Sequence, residues 1–127
     1  MPCLIDSNIL IHALTGDADA PILSRIDDAI ADKARYSVVT RMELLGWSGH
    51  TADTRRETEA LLAQLMEVAL TPAVVATVID IRSRIAIKRP DAIIAASALV
   101  ENLPLMTRNT GDFTRIPGLV LVDPFAA

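Results

Sequence analysis

The chain has 127 residues, 51% of them hydrophobic but only 3% aromatic, and a formal net charge of −4. That length holds one ordinary domain and leaves no room for a second, and a core of Ala, Ile, Leu and Val favours helices packed closely on a branched-residue sheet. The charge has the wrong sign for broad phosphate neutralisation, and the longest apolar or small run, Ala92 to Val100, falls far short of the roughly 18 residues of a membrane span, so a soluble protein is expected.

The opening residues, MPCLIDSNILI, set an acid inside an apolar run with no basic leader before it. No signal or transit peptide is expected, and a cytoplasmic location is. The single cysteine, Cys3, excludes an intrachain disulfide and reads as a small core residue. A short strand over Cys3 to Ile5 is predicted, then a brief helix through Asn8 to Leu14 and a second from Pro21 to Ala34, with Pro21 in its first turn. Tyr36 to Val39 reads as a strand. Thr40 and Glu43 have the spacing of a capping box, which predicts a helix opening there and ending near Gly46 or Trp47.

Ser48 to Thr54 reads as a loop. Leu61, Leu62, Leu65 and Met66 follow at helical spacing, and Val68 to Leu70 reads as a short strand. Thr71 as cap and Pro72 at the first position open a helix carrying Val75, Val78 and Ile79. Pro90 and Asp91 open another, whose body, AIIAASALV, is apolar all round and must be buried on most sides. Leu105 to Thr107 is a strand, RNTGD a loop, and Leu119 to Val122 a last strand. Strand and helix alternate without repeats or linkers, so the expectation is one domain over 1–127, a parallel sheet of four to five strands with helices on both faces.

In such sheets ligands bind outside the carboxyl ends of the strands. Asp6 follows the first strand, Glu43 begins the helix after the second, and Asp112 lies in the loop after the Leu105 to Thr107 strand. The helix begun by Asp91 leads into that same strand, so a right-handed crossover brings its N-terminus over the same edge. Four carboxylates gathered there repel each other unless protons or cations intervene, and oxygen-only ligation suits Mg²⁺ or Mn²⁺ rather than zinc. Each acid also has a plain structural reading: a helix cap for Asp6, the capping box for Glu43, a first-turn acid for Asp91 and a turn for Asp112.

The segments LIDSNILI, VVTRMELLGW, PDAIIAASAL and LMTRNTGDF, in this order, resemble the four signature segments of PIN-domain ribonucleases of the VapC toxin type. The resemblance spans nearly the whole chain. It implies a three-layer α/β/α fold, a Mg²⁺- or Mn²⁺-dependent endoribonuclease that leaves a 5′-phosphate, and a cognate VapB-like antitoxin as partner, with a homodimer expected as well. By motif position, Asp6, Glu43 and Asp91 are the first three metal-binding acids. The fourth falls at Asp112 in some members and at the position of Asn109 in others.

Asn8, Thr107 and Asn109, with Ser7 as a weaker candidate, have short polar side chains suited to orienting Asp6 or a cation's water. Arg108 and Arg41, with Lys88 and Arg89, lie beside the motif acids in sequence and are candidates for RNA phosphate contact. Trp47 either stacks on a base or packs at an interface. His12 and His50 carry no predicted role. A PIN-like module that binds RNA or protein without cutting is the alternative, disfavoured by acids at all four motif positions. An aspartyl phosphatase would want a second Asp where Asn8 stands, and a receiver domain would want a late lysine; Lys33 and Lys88 are the only two.

Overall fold

In the computed structural model, which describes residues 2–126, five short strands form one sheet. They are β1 (Leu4–Ile5), β2 (Arg35–Ser37), β3 (Met66–Val68), β4 (Leu105–Met106) and β5 (Leu121–Val122), in the order β3-β2-β1-β4-β5. All neighbours are parallel, with Leu4 beside both Arg35 and Leu105, and Leu105 beside Leu121. Parallel strands need crossovers, and helices supply them. α1 (Ser7–Thr15) and α2 (Ala20–Ala31) join β1 to β2, α3 (Val38–Leu45) and α4 (Ala52–Ala63) join β2 to β3, and α5 (Pro72–Arg84) and α6 (Arg89–Val100) join β3 to β4.

The two faces of the sheet follow from strand alternation. Cys3, Ile5, Tyr36 and Met106 point into one core, with Ile9 and Leu10 of α1, Ile26 of α2 and Leu62 of α4. Leu4, Val68 and Leu105 point into the other, with Val74 and Ile81 of α5 and the small residues of α6. The result is three layers, helix on sheet on helix. In α6, Ala92 and every residue from Ile94 to Ala98 are buried, and the alanines let the helix lie close against its neighbours, as its all-round apolar sequence requires.

Several boundaries differ from the sequence reading, each for a local reason. The strand expected over Tyr36 to Val39 stops at Ser37, whose side chain accepts the Val39 N–H at 3.2 Å and caps α3. The cap overrides the β preference of Val38 and Val39. There is therefore no capping box at Thr40 and Glu43: Thr40 lies inside the first turn, and Glu43, expected there too, lies in the second. A capping box does occur at Thr51 and Thr54, opening α4 inside the stretch expected to be loop. α2 ends three residues early, where Asp32 caps it and Lys33 turns left-handed at φ 58°. β3 lies two residues before the expected Val68 to Leu70, and a 3₁₀ turn, Thr110–Asp112, interrupts the RNTGD loop. The start of α5 is as expected, with Thr71 Oγ1 accepting from Val74 N at 3.2 Å and Pro72 first in the helix.

Candidate active site

Asp6 is the residue between β1 and α1, and its carboxylate ties three segments together. Oδ1 accepts the Ser7 N–H at 2.8 Å, which caps α1. Oδ2 accepts the Thr107 hydroxyl at 2.8 Å and the Asn8 side-chain amide at 3.2 Å. Thr107 follows β4, so this bond joins the ends of two adjacent strands across 101 residues of chain. Thr107 Oγ1 in turn accepts the backbone N–H of Asn109 at 3.1 Å. Asn109 thus bears on the site through its backbone, while its exposed side chain makes no hydrogen bond among the described residues.

Ser7, the weaker candidate of the sequence reading, is a junction. Its Oγ lies 3.0 Å from Thr40 Oγ1 and 3.1 Å from Glu43 Oε1, so α1 holds both polar residues of one face of α3. Thr40 was missed because its spacing to Glu43 suggested a cap. The same i, i+3 spacing puts both side chains on one helix face.

The acids sense one another. Asp6, 5% exposed, has its pKa raised, first by burial and further by the charges of Asp91 and Glu43, against the lowering effect of the Thr107 and Ser7 bonds. Asp91, in the first turn of α6, is raised by burial and then by Asp112, with Lys88 pulling the other way. Repulsion thus runs from Glu43 through Asp6 and Asp91 to Asp112, along the carboxyl edge of β1 and β4. The four predicted acids are brought to one edge.

The basic candidates separate. Arg41 makes a forked ion pair with Glu67 of β3 and is committed there. Arg108 lays its guanidinium 4.2 Å from the centroid of Phe125, which packs against the first core and meets the His12 ring at a tilt, with centroids 4.9 Å apart. His50 bonds the Leu44 carbonyl and Thr54, and Trp47, 59% exposed, meets it edge-on. Trp47 and His50 also line a hollow of about 410 Å³ beside Glu43, together with Ile11, Leu14 and Glu57.

Among the described residues no three His, Cys, Asp or Glu side chains form a ready-made metal cage. The donor set nonetheless fits a hard divalent cation. It is all oxygen, its charges act on one another along one sheet edge, and beside it Asn8 Oδ1 is buried without a hydrogen-bond partner. A cation there would offset both the burial and the neighbouring negative charge that raise Asp6 and Asp91.

The PIN domain family model matches residues 3–119 of the chain. Among solved structures, the chain is similar to one in a toxin-antitoxin complex from Klebsiella pneumoniae, 28% identical, with 98% of this chain and 99% of that one covered and a TM-score of 0.78. It is similar also to a chain of VapBC-1 from nontypeable Haemophilus influenzae, at 24% identity, 99% and 100% coverage and a TM-score of 0.80. A chain of VapBC2 from Rickettsia felis, bound to a DNA fragment from its promoter, gives 22%, 97%, 98% and 0.83. No curated protein sequence matches significantly.

Proposed function

The chain belongs to the PIN domain family, and from that membership we propose that it is a single PIN domain acting as a metal-dependent endoribonuclease, the toxin of a VapBC-type pair. The observation that carries the reading is the placement of four carboxylates at the carboxyl edge of the sheet, where Ser7 bonds both Asp6 and Glu43, Thr107 bonds Asp6, and Asp91 is near enough for its charge to act on Asp6 and to be acted on by Asp112. These four would hold Mg²⁺, with Mn²⁺ as a substitute, through carboxylate oxygens. A bound divalent cation supplies a water activated for attack on a phosphodiester and charge compensation for the departing oxygen.

The protein's own part is to fix the acids. Ser7 N–H and Thr107 Oγ–H bind opposite oxygens of Asp6 and so set the plane of its carboxylate. Ser7 Oγ holds Glu43 in reach of α1. Asn8 Oδ1, unpaired and buried, is an acceptor for a buried water. The similar structures are toxin-antitoxin assemblies, which supports a VapB-like antitoxin as partner; a second copy of the chain is the other partner proposed. Exposed Met42, Met66, Leu70 and Val75 support protein contacts of this kind. No helix among the described residues is long and apolar enough to cross a membrane.

The test is to induce the chain without a partner, beside Asp91→Asn, and follow growth and RNA integrity. Arrest and RNA loss are expected with the parent chain and neither with the variant. Equal harmlessness of both would overturn the proposal.

A further inference from the structure

Four of the chain's twelve basic residues, Arg82, Arg84, Lys88 and Arg89, fall within eight positions, and no acid lies between Asp80 and Asp91. They occupy the end of α5 and the turn into α6, whose third residue is Asp91. Four basic residues elsewhere are paired with carboxylates, Arg35 with Glu101, Arg41 with Glu67, Arg55 with Glu59 and Arg56 with Asp53, while Arg25 is held by the carbonyls of Pro124 and Ala126 and Arg108 lies over Phe125. Within the cluster only Arg84 is paired, with Asp80. Arg82, Lys88 and Arg89 have no carboxylate at ion-pair distance among the described residues, and neither does Arg115.

The turn itself aims these groups. Arg115, just beyond the 3₁₀ turn that carries Asp112, donates from Nη2 to the Ala86 carbonyl at 2.9 Å. Arg82 Nε lies 3.4 Å from the Ile87 carbonyl. Both guanidinium groups are thus anchored on one side and keep donors free on the other. Arg82 and Arg89 share a hollow of about 570 Å³ with Ile79, Ile85 and Ile87. Lys88 is close enough to Asp91 for its charge to act on that carboxyl. The basic patch therefore adjoins the acid edge at its Asp91 and Asp112 end.

An acid crevice repels the phosphates it is to cleave, so a substrate strand needs cations beside it rather than in it. The hollow at the opposite end is lined by Glu43 and Glu57, which oppose a polyanion. We propose that single-stranded RNA enters from the α5–α6 side, with Arg82, Lys88, Arg89 and Arg115 holding backbone phosphates next to the scissile bond and unpaired bases lying over Ile79, Ile87 and the guanidinium planes. This assignment rests on the ribonuclease reading above and adds a direction of approach to it.

The experiment uses the full chain and a short fluorescein-labelled single-stranded RNA of mixed sequence. Binding is followed by anisotropy across a salt series in an Asp91→Asn background, and cleavage is followed in the parent background. Arg82→Gln with Arg89→Gln should weaken binding about tenfold and make the slope of log K against log salt shallower by about 1.4, the share of two phosphate contacts on a single strand. Lys88→Gln should give about half that slope change. In cleavage the double variant should raise KM far more than it lowers kcat. Arg55→Gln with Arg56→Gln, on the outer face of α4, is the control and should change neither.

Parent-like binding and slope in both patch variants would overturn the assignment, as would a loss no greater than the control's. Unchanged RNA affinity with loss of a protein partner would give the patch to that partner and also overturn it. Failure of the parent chain to cut RNA at all is a different outcome, since it strikes the ribonuclease reading itself.

Discussion

Asp6 does two tasks with one carboxylate: it caps α1 and it joins β1 to the end of β4. Thr107→Val keeps the shape of a fully buried side chain but removes the hydroxyl from Asp6 Oδ2 and the acceptor from Asn109 N. A loss of about 1–2 kcal/mol in stability is expected from unsatisfied buried groups, read by denaturant melts. The bond also lowers the Asp6 pKa, so its loss should move the acid limb of the pH–activity profile to higher pH. At Asp91 the sign runs against stability. Its folded pKa lies above the ordinary 3.8, so the fold binds the proton more tightly than the unfolded chain does. That advantage is complete below the ordinary value and is lost as pH rises through the folded one, leaving an uncompensated charge at neutral pH. Asp91→Asn should accordingly raise Tm by about 2 °C at pH 7 without divalent cations and leave it unchanged near pH 3, read by calorimetry.

At the scale of elements, the sequence reading succeeded where pattern and partner lie close in the chain. Thr71 and Pro72 announce α5, and AIIAASALV announces a buried helix, because cap chemistry and periodicity are local. It failed at the start of α3, where Ser37 competes with a strand of branched residues and wins. The consequence reaches the site, since α3 carries Glu43. Ser37→Ala should cost about 1 kcal/mol and lower kcat, because the first turn that sets the Glu43 face loses its cap; far-UV dichroism on melting and single-turnover cleavage check the two halves. In α6 the constraint is space. Ala95 is fully buried in the second core, and Ala95→Leu should destabilise by about 1–3 kcal/mol through overpacking.

For the whole molecule, the α/β/α layering and the meeting of four acids were legible because strand–helix alternation, together with the right-handed crossover, leaves few topologies. The partners of the basic residues were not. Arg41 meets Glu67, 26 positions on, and Arg108 meets Phe125 after the last strand, contacts that no local pattern encodes. Ser7 was undervalued for the same reason, its bond to Glu43 spanning 36 positions. If the acid edge is a cation site that cuts RNA, its activity must depend on both the cation and the carboxylates. The purified chain is incubated with single-stranded RNA in Mg²⁺ or Mn²⁺, in EDTA, and as Asp6→Asn and Asp91→Asn. Cleavage should require the cation, vanish in EDTA and return on its readdition, and fall at least about 100-fold in each variant. Undiminished cleavage in EDTA, or by both variants, would contradict the account.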